Sequence, residues 1–271
     1  AREAGMPLSL GDVEVESLVP EALRDADRDG FMAGLASLDA PMLQRLIRQL
    51  SQDEEFYRRL FTDVNDGLLL IDSGGQYLGG TTDITRMVPI GTPSDEQKRD
   101  CTRVLKGVIA LSRAHFPKGI LSPLLDSIAR APIWAEGVDY GHGTGHGVGY
   151  FLNVHEGPQV IAYQAVAAPQ TAMQPGMITS IEPGTYRPGQ WGVRIENLVF
   201  NREAGKSGFG DFLAFETLTL CPIDTRCLEP SLLMAEEKQW LNDYHAQVRE
   251  RLSPLLDGAA LEWLNTRTAA I

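Results

Sequence analysis

Ile71-Asp72-Ser73-Gly74-Gly75-Gln76-Tyr77-Leu78-Gly79-Gly80-Thr81-Thr82-Asp83-Ile84-Thr85-Arg86 reads as an antiparallel hairpin whose two arms each carry one aspartate. Leu68-Leu69-Leu70-Ile71, entered through the break Asn65-Asp66-Gly67, has the apolar continuity of a buried strand. Gly79-Gly80 is a turn signal, so 68–77 and 81–89 are expected to pair. Diagonal neighbours across such a pair come close enough for side chains to converge on an ion. Two adjacent carboxylates would otherwise repel, and a bound cation removes that cost. The local alternative is that Asp72 begins a turn and Asp83 caps a strand end.

Three motifs further along favour the ligand reading. His142-Gly143-Thr144-Gly145-His146-Gly147-Val148-Gly149 lacks both the Lys-Ser/Thr ending of a phosphate-binding loop and the spacing of a dinucleotide fingerprint. Its glycines are expected to let backbone pass close to metals and substrate. Three of the five histidines (His142, His146, His155) fall between 142 and 155. Glu182 precedes Pro183-Gly184, and Glu196 lies in the expected strand Val193-Arg194-Ile195-Glu196. The turn-rich Arg187-Pro188-Gly189-Gln190 between them predicts a second hairpin presenting two carboxylates. Strand alternation puts Arg194 and Glu196 on one face, either as a salt bridge or with Arg194 orienting a ligand.

Asp72, Asp83, Glu182 and Glu196 with His146 form a mostly hard donor set. It suits two divalent ions, Mn²⁺ foremost with Co²⁺ or Zn²⁺ able to replace it, better than a structural zinc site. Two such ions can generate a hydroxide nucleophile and clamp a tetrahedral intermediate, so the expected chemistry is two-metal hydrolysis.

The rest of the chain bounds this reading. Its 271 residues fit one large domain, or one domain with a small appendage. A net charge of −12 argues against nucleic acid as partner, because phosphate neutralisation needs a basic face. No apolar run approaches the roughly 18–20 residues that span a bilayer. Three widely placed cysteines make no disulfide framework, which suits the cytoplasm, and Cys101 reads as a helix core residue. The start Ala1-Arg2-Glu3-Ala4-Gly5 has no signal pattern and no initiator Met, so a processed or truncated piece is expected.

Residues 1–66 read as an atypical helical segment packing on the catalytic domain, with Leu43, Leu46, Ile47 and Leu50 on one stripe. Residues 67–271 read as that catalytic domain, ending in helices divided by Pro254 and Asp257-Gly258. Ser94 and Gln97 have capping-box spacing ahead of a helix with the stripe Cys101, Val104, Leu105, Val108 and Ile109. A second helix is expected from Ser122-Pro123, ended or kinked by Pro132. His115 and His245 fall on expected helices and read as structural. Short strands over 138–220 beside these helical blocks give an α+β class.

Asp72-Ser73-Gly74-Gly75-Gln76-Tyr77, Gly80-Thr81-Thr82-Asp83-Ile84-Thr85-Arg86, Asn153-Val154-His155-Glu156-Gly157-Pro158 and Phe215-Glu216-Thr217-Leu218-Thr219-Leu220 resemble the pita-bread metallopeptidases, and within them the aminopeptidase P group. The resemblance runs from about Gly67 to about Cys227. It implies a curved antiparallel sheet with helices packed on its outer face. It also implies release of the N-terminal residue from peptides with proline second. Asp72 would hold one ion, His146 and Glu182 the other, with Asp83 and Glu196 bridging. Glu182 would shuttle a proton to the leaving nitrogen, and His155 would steady the oxyanion. His142 would face the substrate or serve the loop structurally. A cytoplasmic homodimer is the family expectation, with a peptide substrate as partner.

The chain departs from the group in one respect. No histidine precedes His115, whereas aminopeptidase P members carry a substrate-contacting one upstream of the first aspartate. Gln44–Leu60 stands in its place, so one pocket wall is expected to be rebuilt, supplied by a partner chain, or absent. Prolidase-like or creatinase-like hydrolysis and a non-catalytic peptide-binding role are the rival expectations.

Overall fold

The first hairpin forms as its turn signals require. In the computed structural model, which describes residues 67–271, β1 (Gly67–Ser73) and β4 (Ile84–Ile90) pair antiparallel. Between them β2 (Gln76–Tyr77) and β3 (Gly80–Thr81) close the tip, where Gly79 takes φ +85°, a conformation that only glycine adopts freely. The helical segment expected over residues 1–66 lies outside the described residues.

Helix α1 (Asp95–Ser112) starts at the capping box. Ser94 Oγ accepts the Gln97 N–H at 3.2 Å, and Gln97 Oε1 accepts the Ser94 N–H at 2.8 Å. Such a cap contributes about 1 kcal/mol. The expected stripe is buried, joined by Leu111, and packs with Phe116, Ile181, Val193, Val199, Leu213 and Phe215 in one core. Each such side chain stabilises the fold by about 1.5–3 kcal/mol on leaving water.

Three sequence expectations need correction here. His115 is not helical: it opens the short strand β5 (His115–Pro117), which pairs with a strand nearly a hundred residues away. The second helix begins one 3₁₀ turn late, as α2 (Asp126–Trp134). Pro132 lies inside α2 and does not end it; the helix stops two residues later, before Gly137 at φ +70°.

The short strands follow: β6 (Gly145–His146), β7 (Val160–Ile161), β8 (Ile178–Ile181), β9 (Gly184–Arg187), β10 (Trp191–Arg194), β11 (Asn197–Ser207) and β12 (Gly210–Thr217). Three of them join β5 in an antiparallel sheet of order β5-β12-β11-β8, and β9 pairs with β10. The α+β class and the curved antiparallel sheet with helices on its outer face are as the sequence led us to expect. At the carboxyl end α3 (Ala235–Leu252) and α4 (Gly258–Arg267) are separated around Pro254 and Asp257. His245 on α3 is fully buried, its Nε2 accepting the Ile223 N–H at 3.1 Å.

Buried Asp100 on α1 ties the helix to the β9–β10 hairpin. It accepts from Arg187 Nε at 2.6 Å, Arg103 Nη1 at 2.7 Å and Trp191 Nε1 at 3.0 Å. Burial opposes its charge, but these donors outweigh it and hold the carboxyl below its usual range. The hairpin behind the second pair of carboxylates is therefore anchored to the helical core.

Candidate metal centre

The ladder β1–β4 sets Asp72 opposite Thr85, so Asp83, two residues before Thr85, is the diagonal neighbour of Asp72 on the same face. The second pair is more exact. β8 pairs Ile181 with Asn197, and β9 pairs Gly184 with Arg194. Both ladders keep one register, so stepping one residue inward from Ile181 and Asn197 brings Glu182 opposite Glu196. Glu196 is not inside a strand, as the sequence suggested, but sits in the break between β10 and β11, where its N–H donates to Thr85 O at 3.1 Å.

His146 enters from β6. Its backbone N–H donates to Ser180 Oγ at 3.0 Å, and that hydroxyl donates to Glu182 Oε1 at 3.0 Å. The His146 Nδ1 lies 3.0 Å from Gly147 O. With the hydrogen on Nδ1, Nε2 is left to its carboxylate neighbours, Glu182 Oε1 at 3.1 Å and Asp83 Oδ2 at 3.5 Å. Among the described residues, Asp83, His146 and Glu196 offer ligand atoms that all lie within 4.8 Å of one another. Asp72 is half-exposed and stands apart from that cluster, its Oδ2 paired with Arg194 Nη2.

Two features of the protein itself fit a divalent cation here. Glu196 is almost fully buried; its Oε2 accepts the Thr85 hydroxyl at 2.7 Å, while Oε1 has no hydrogen-bond partner among the described residues. Buried acceptors rarely go unmatched, because desolvation then costs about 1–3 kcal/mol. Burial, then the charge of Glu182, pushes Glu196 up to about 8. Burial disfavours the His146 imidazolium, but hydrogen bonds to Asp83 and Glu182 prevail and raise it to about 10. Both groups hold protons because carboxylates crowd around them, and these hard oxygen donors with one imidazole suit a cation that would take the place of those protons.

Arg194, which alternation offered either as a salt-bridge partner of Glu196 or as a residue orienting a ligand, contacts several of the candidate residues. Besides Asp72 it reaches Glu182 Oε2 at 3.8 Å, Thr85 Oγ1 at 3.1 Å and the Tyr186 hydroxyl at 3.2 Å. No ion pair joins it to Glu196 among the described residues, which removes the salt-bridge alternative. His142 and His155 both line the adjoining cavity of about 280 Å³, with Val160 and Arg194. His142 is held at both ring nitrogens, by Tyr186 OH and by Gly143 O, each at 2.8 Å. His155 is exposed and meets the His146 ring edge-on at 4.1 Å between centroids.

The glycines of 143–149 act differently from expectation. Gly143 and Gly145 do line the cavity, but a Cβ on Gly145 would stand 1.9 Å from Ser180 O, and one on Gly147 would stand 2.0 Å from Glu156 O. What needs them is close approach to neighbouring backbone. Three residues that sequence reasoning passed over support the site: Thr85, Tyr186 and Arg86. Buried Arg86 donates to the carbonyls of Glu196, Thr85, Pro222 and Cys221, to Asn197 Oδ1 and to Tyr244 OH. Thr85 was within reach of sequence reasoning as the partner of Asp72, and Tyr186 as an alternate position in its hairpin; an arginine in a strand signals nothing about burial.

Residues 58–203 match the profile of metallopeptidase family M24, and residues 211–271 match the C-terminal region of peptidase M24. A probable Xaa-Pro aminopeptidase P from Coprinopsis cinerea is 51% identical over 211 residues, 76% of this chain and 34% of that protein. Aminopeptidase P2 of Arabidopsis thaliana is 50% identical over 209 residues, 75% of this chain and 29% of that protein. Among solved structures, X-prolyl aminopeptidase from Caenorhabditis elegans, described as a cytosolic enzyme with a di-nuclear active site, matches with a TM-score of 0.70 at 41% identity. That match covers 75% of this chain and 34% of the other. The chain spans about a third of the length of the curated relatives it matches.

Proposed function

The chain belongs to metallopeptidase family M24, and on that footing we propose that residues 67–271 are the catalytic domain of a two-metal aminopeptidase. Its substrates are peptides with proline in the second position, from which it releases the N-terminal residue. The observation that carries this reading is the convergence of Asp83, His146 and Glu196 within 4.8 Å, with Glu182 Oε1 3.1 Å from His146. The similarity to Xaa-Pro aminopeptidases at about 50% identity supports the substrate class.

Asp72, Asp83, His146, Glu182 and Glu196 would hold two divalent ions, Mn²⁺ being the proposed metal. When bound, such a pair supplies Lewis acidity toward a carbonyl oxygen and activates water at neutral pH. The protein's own groups do the rest. Glu182, held by Ser180, moves a proton toward the leaving nitrogen. His155, exposed beside His146, donates to the developing oxyanion. His142, oriented by Tyr186, contacts the substrate, and Arg194 keeps Asp72 and Glu182 in place. A cytoplasmic location is supported by the relative described as cytosolic. Among the described residues no helix is long and apolar enough to cross a membrane. A homodimer completes the proposal.

The test is release of the N-terminal residue from an Xaa-Pro peptide by metal-stripped protein, with and without added Mn²⁺. Mn²⁺-dependent release confined to the bond before proline is expected. Tight binding of two ions without release would mean that the site is assembled and the pocket is not; a single ion or none, with peptide still bound, would favour the second reading, a peptide-binding relative, for which the lack of any histidine before His115 speaks.

A further inference from the structure

Arg130 on α2 is fully buried, yet none of the chemistry above uses it. Taking a guanidinium out of water costs several kcal/mol, and an apolar side chain of like volume often serves a core as well. What the arginine does with its donors explains its presence. Nε donates to Asp126 Oδ2 at 2.7 Å, and Nη1 donates to Asp139 Oδ1 at 2.7 Å and Tyr140 O at 2.8 Å. Nη2 donates to the carbonyl of His142. The Tyr140 ring lies 3.8 Å and the Tyr163 ring 4.8 Å from the guanidinium carbon.

Asp126, equally buried, extends the grip. Its Oδ2 accepts the Tyr163 N–H at 2.9 Å, and its Oδ1 accepts the hydroxyl of Thr144, which also meets Tyr140 OH. The Thr144 carbonyl in turn accepts the Glu182 N–H at 2.7 Å. From Arg130, one contact reaches the backbone of His142, and a short chain through Asp126 and Thr144 reaches the backbone of Glu182. Side-chain packing of a core calls for none of these carbonyl contacts. They tie His142 and Thr144 to α2.

We propose that the Arg130–Asp126 pair is a positioning device that presets His142, the 142–146 segment and Glu182 for the metals and the substrate. The proposal rests on the two-metal reading above. Neither residue touches the reacting atoms; both act through Thr144 and the two backbone carbonyls. Lysine cannot stand in for Arg130, because one ammonium cannot span the four acceptors that the planar fork reaches.

The experiment compares metal-stripped wild type, Thr144→Val, Thr144→Ser and Arg130→Lys by Mn²⁺ titration calorimetry, thermal unfolding, and kcat and KM on an Xaa-Pro peptide. Thr144→Val severs the link to Asp126 and leaves the ion pair whole. It and Arg130→Lys should bind Mn²⁺ about 10–100-fold more weakly, the usual effect of removing a ligand's supporting contacts. Their kcat should fall by more than their KM changes, and Thr144→Ser should restore both. Wild-type Mn²⁺ affinity and kcat in Thr144→Val, with only a lowered melting temperature, would overturn the proposal. Should Arg130→Lys not fold, the two Thr144 variants decide. If wild type releases nothing from the peptide, the substrate assignment falls while the Mn²⁺ isotherms still judge the positioning role.

Discussion

Arg86 donates from Nη1 to the backbone carbonyl of Glu196, so a carboxylate of the candidate metal centre hangs on an arginine from the opposite hairpin. The same guanidinium reaches Cys221, Pro222 and Tyr244, which brings the carboxyl-terminal region into the support of the site. Arg86→Met would take this donor from the carbonyls of Glu196 and Pro222. We expect a loss of about 1–3 kcal/mol in urea unfolding, the cost of leaving a buried acceptor without its donor.

Thr85 serves two site residues with one hydroxyl, donating to Glu196 at 2.7 Å and accepting from Arg194 at 3.1 Å. Thr85→Val keeps the shape and removes both contacts. Mn²⁺ affinity measured by calorimetry should drop about 10–100-fold, with little change in far-UV circular dichroism. Unchanged affinity would mean that Glu196 needs no help in orientation.

Gly145 and Gly80 make a matched pair of backbone tests. A methyl at Gly145 would collide with Ser180 O, whereas one at Gly80 meets nothing within 4 Å. Gly145→Ala should cost about 1–3 kcal/mol by overpacking and weaken Mn²⁺ binding, because Ser180 supports both His146 and Glu182. Gly80→Ala should stay within about 0.5 kcal/mol of wild type in thermal unfolding.

His245 gives a pH dependence remote from the site. Burial, then the charge of Arg86, depresses it to about 4. The neutral form is the one that folds, so this contribution is complete above the unfolded value near 6.5 and is lost as pH falls toward 4. It amounts to on the order of 3 kcal/mol at neutral pH. His245→Gln, which can still accept the Ile223 N–H, should narrow the difference in stability between pH 7 and pH 4.5 by a comparable amount. A slope identical to wild type would show that His245 does not titrate in that window.

What the sequence made legible follows from the range of each interaction. The Asp72–Asp83 hairpin, the Ser94 cap and the turn between Glu182 and Glu196 are local patterns of two to a dozen residues, and each appears where alternation and glycine placed it. Thr85 and Glu196 are 111 residues apart and Arg86 and Tyr244 are 158 apart, so no local pattern announces those contacts. His115 was misread for the same reason: its strand exists only because β12 pairs with it. The segment 143–149 was recognised as special, but its glycines answer to Ser180 and Glu156, partners that only the folded sheet supplies.

The unbroken register across β8–β11 and β9–β10 has a practical corollary. Pro188, Gly189 and Gln190 at the hairpin tip are exposed and lie outside both ladders. A reporter peptide or fluorophore-bearing loop spliced in there lengthens only the tip and leaves the rung of Glu182 and Glu196 where it is. A single residue inserted inside β9 or β10 would instead slip the register and turn one of the two carboxylates to the opposite face of the sheet. The tip is thus a natural port for instrumenting the molecule, and the strands beneath it are closed to editing.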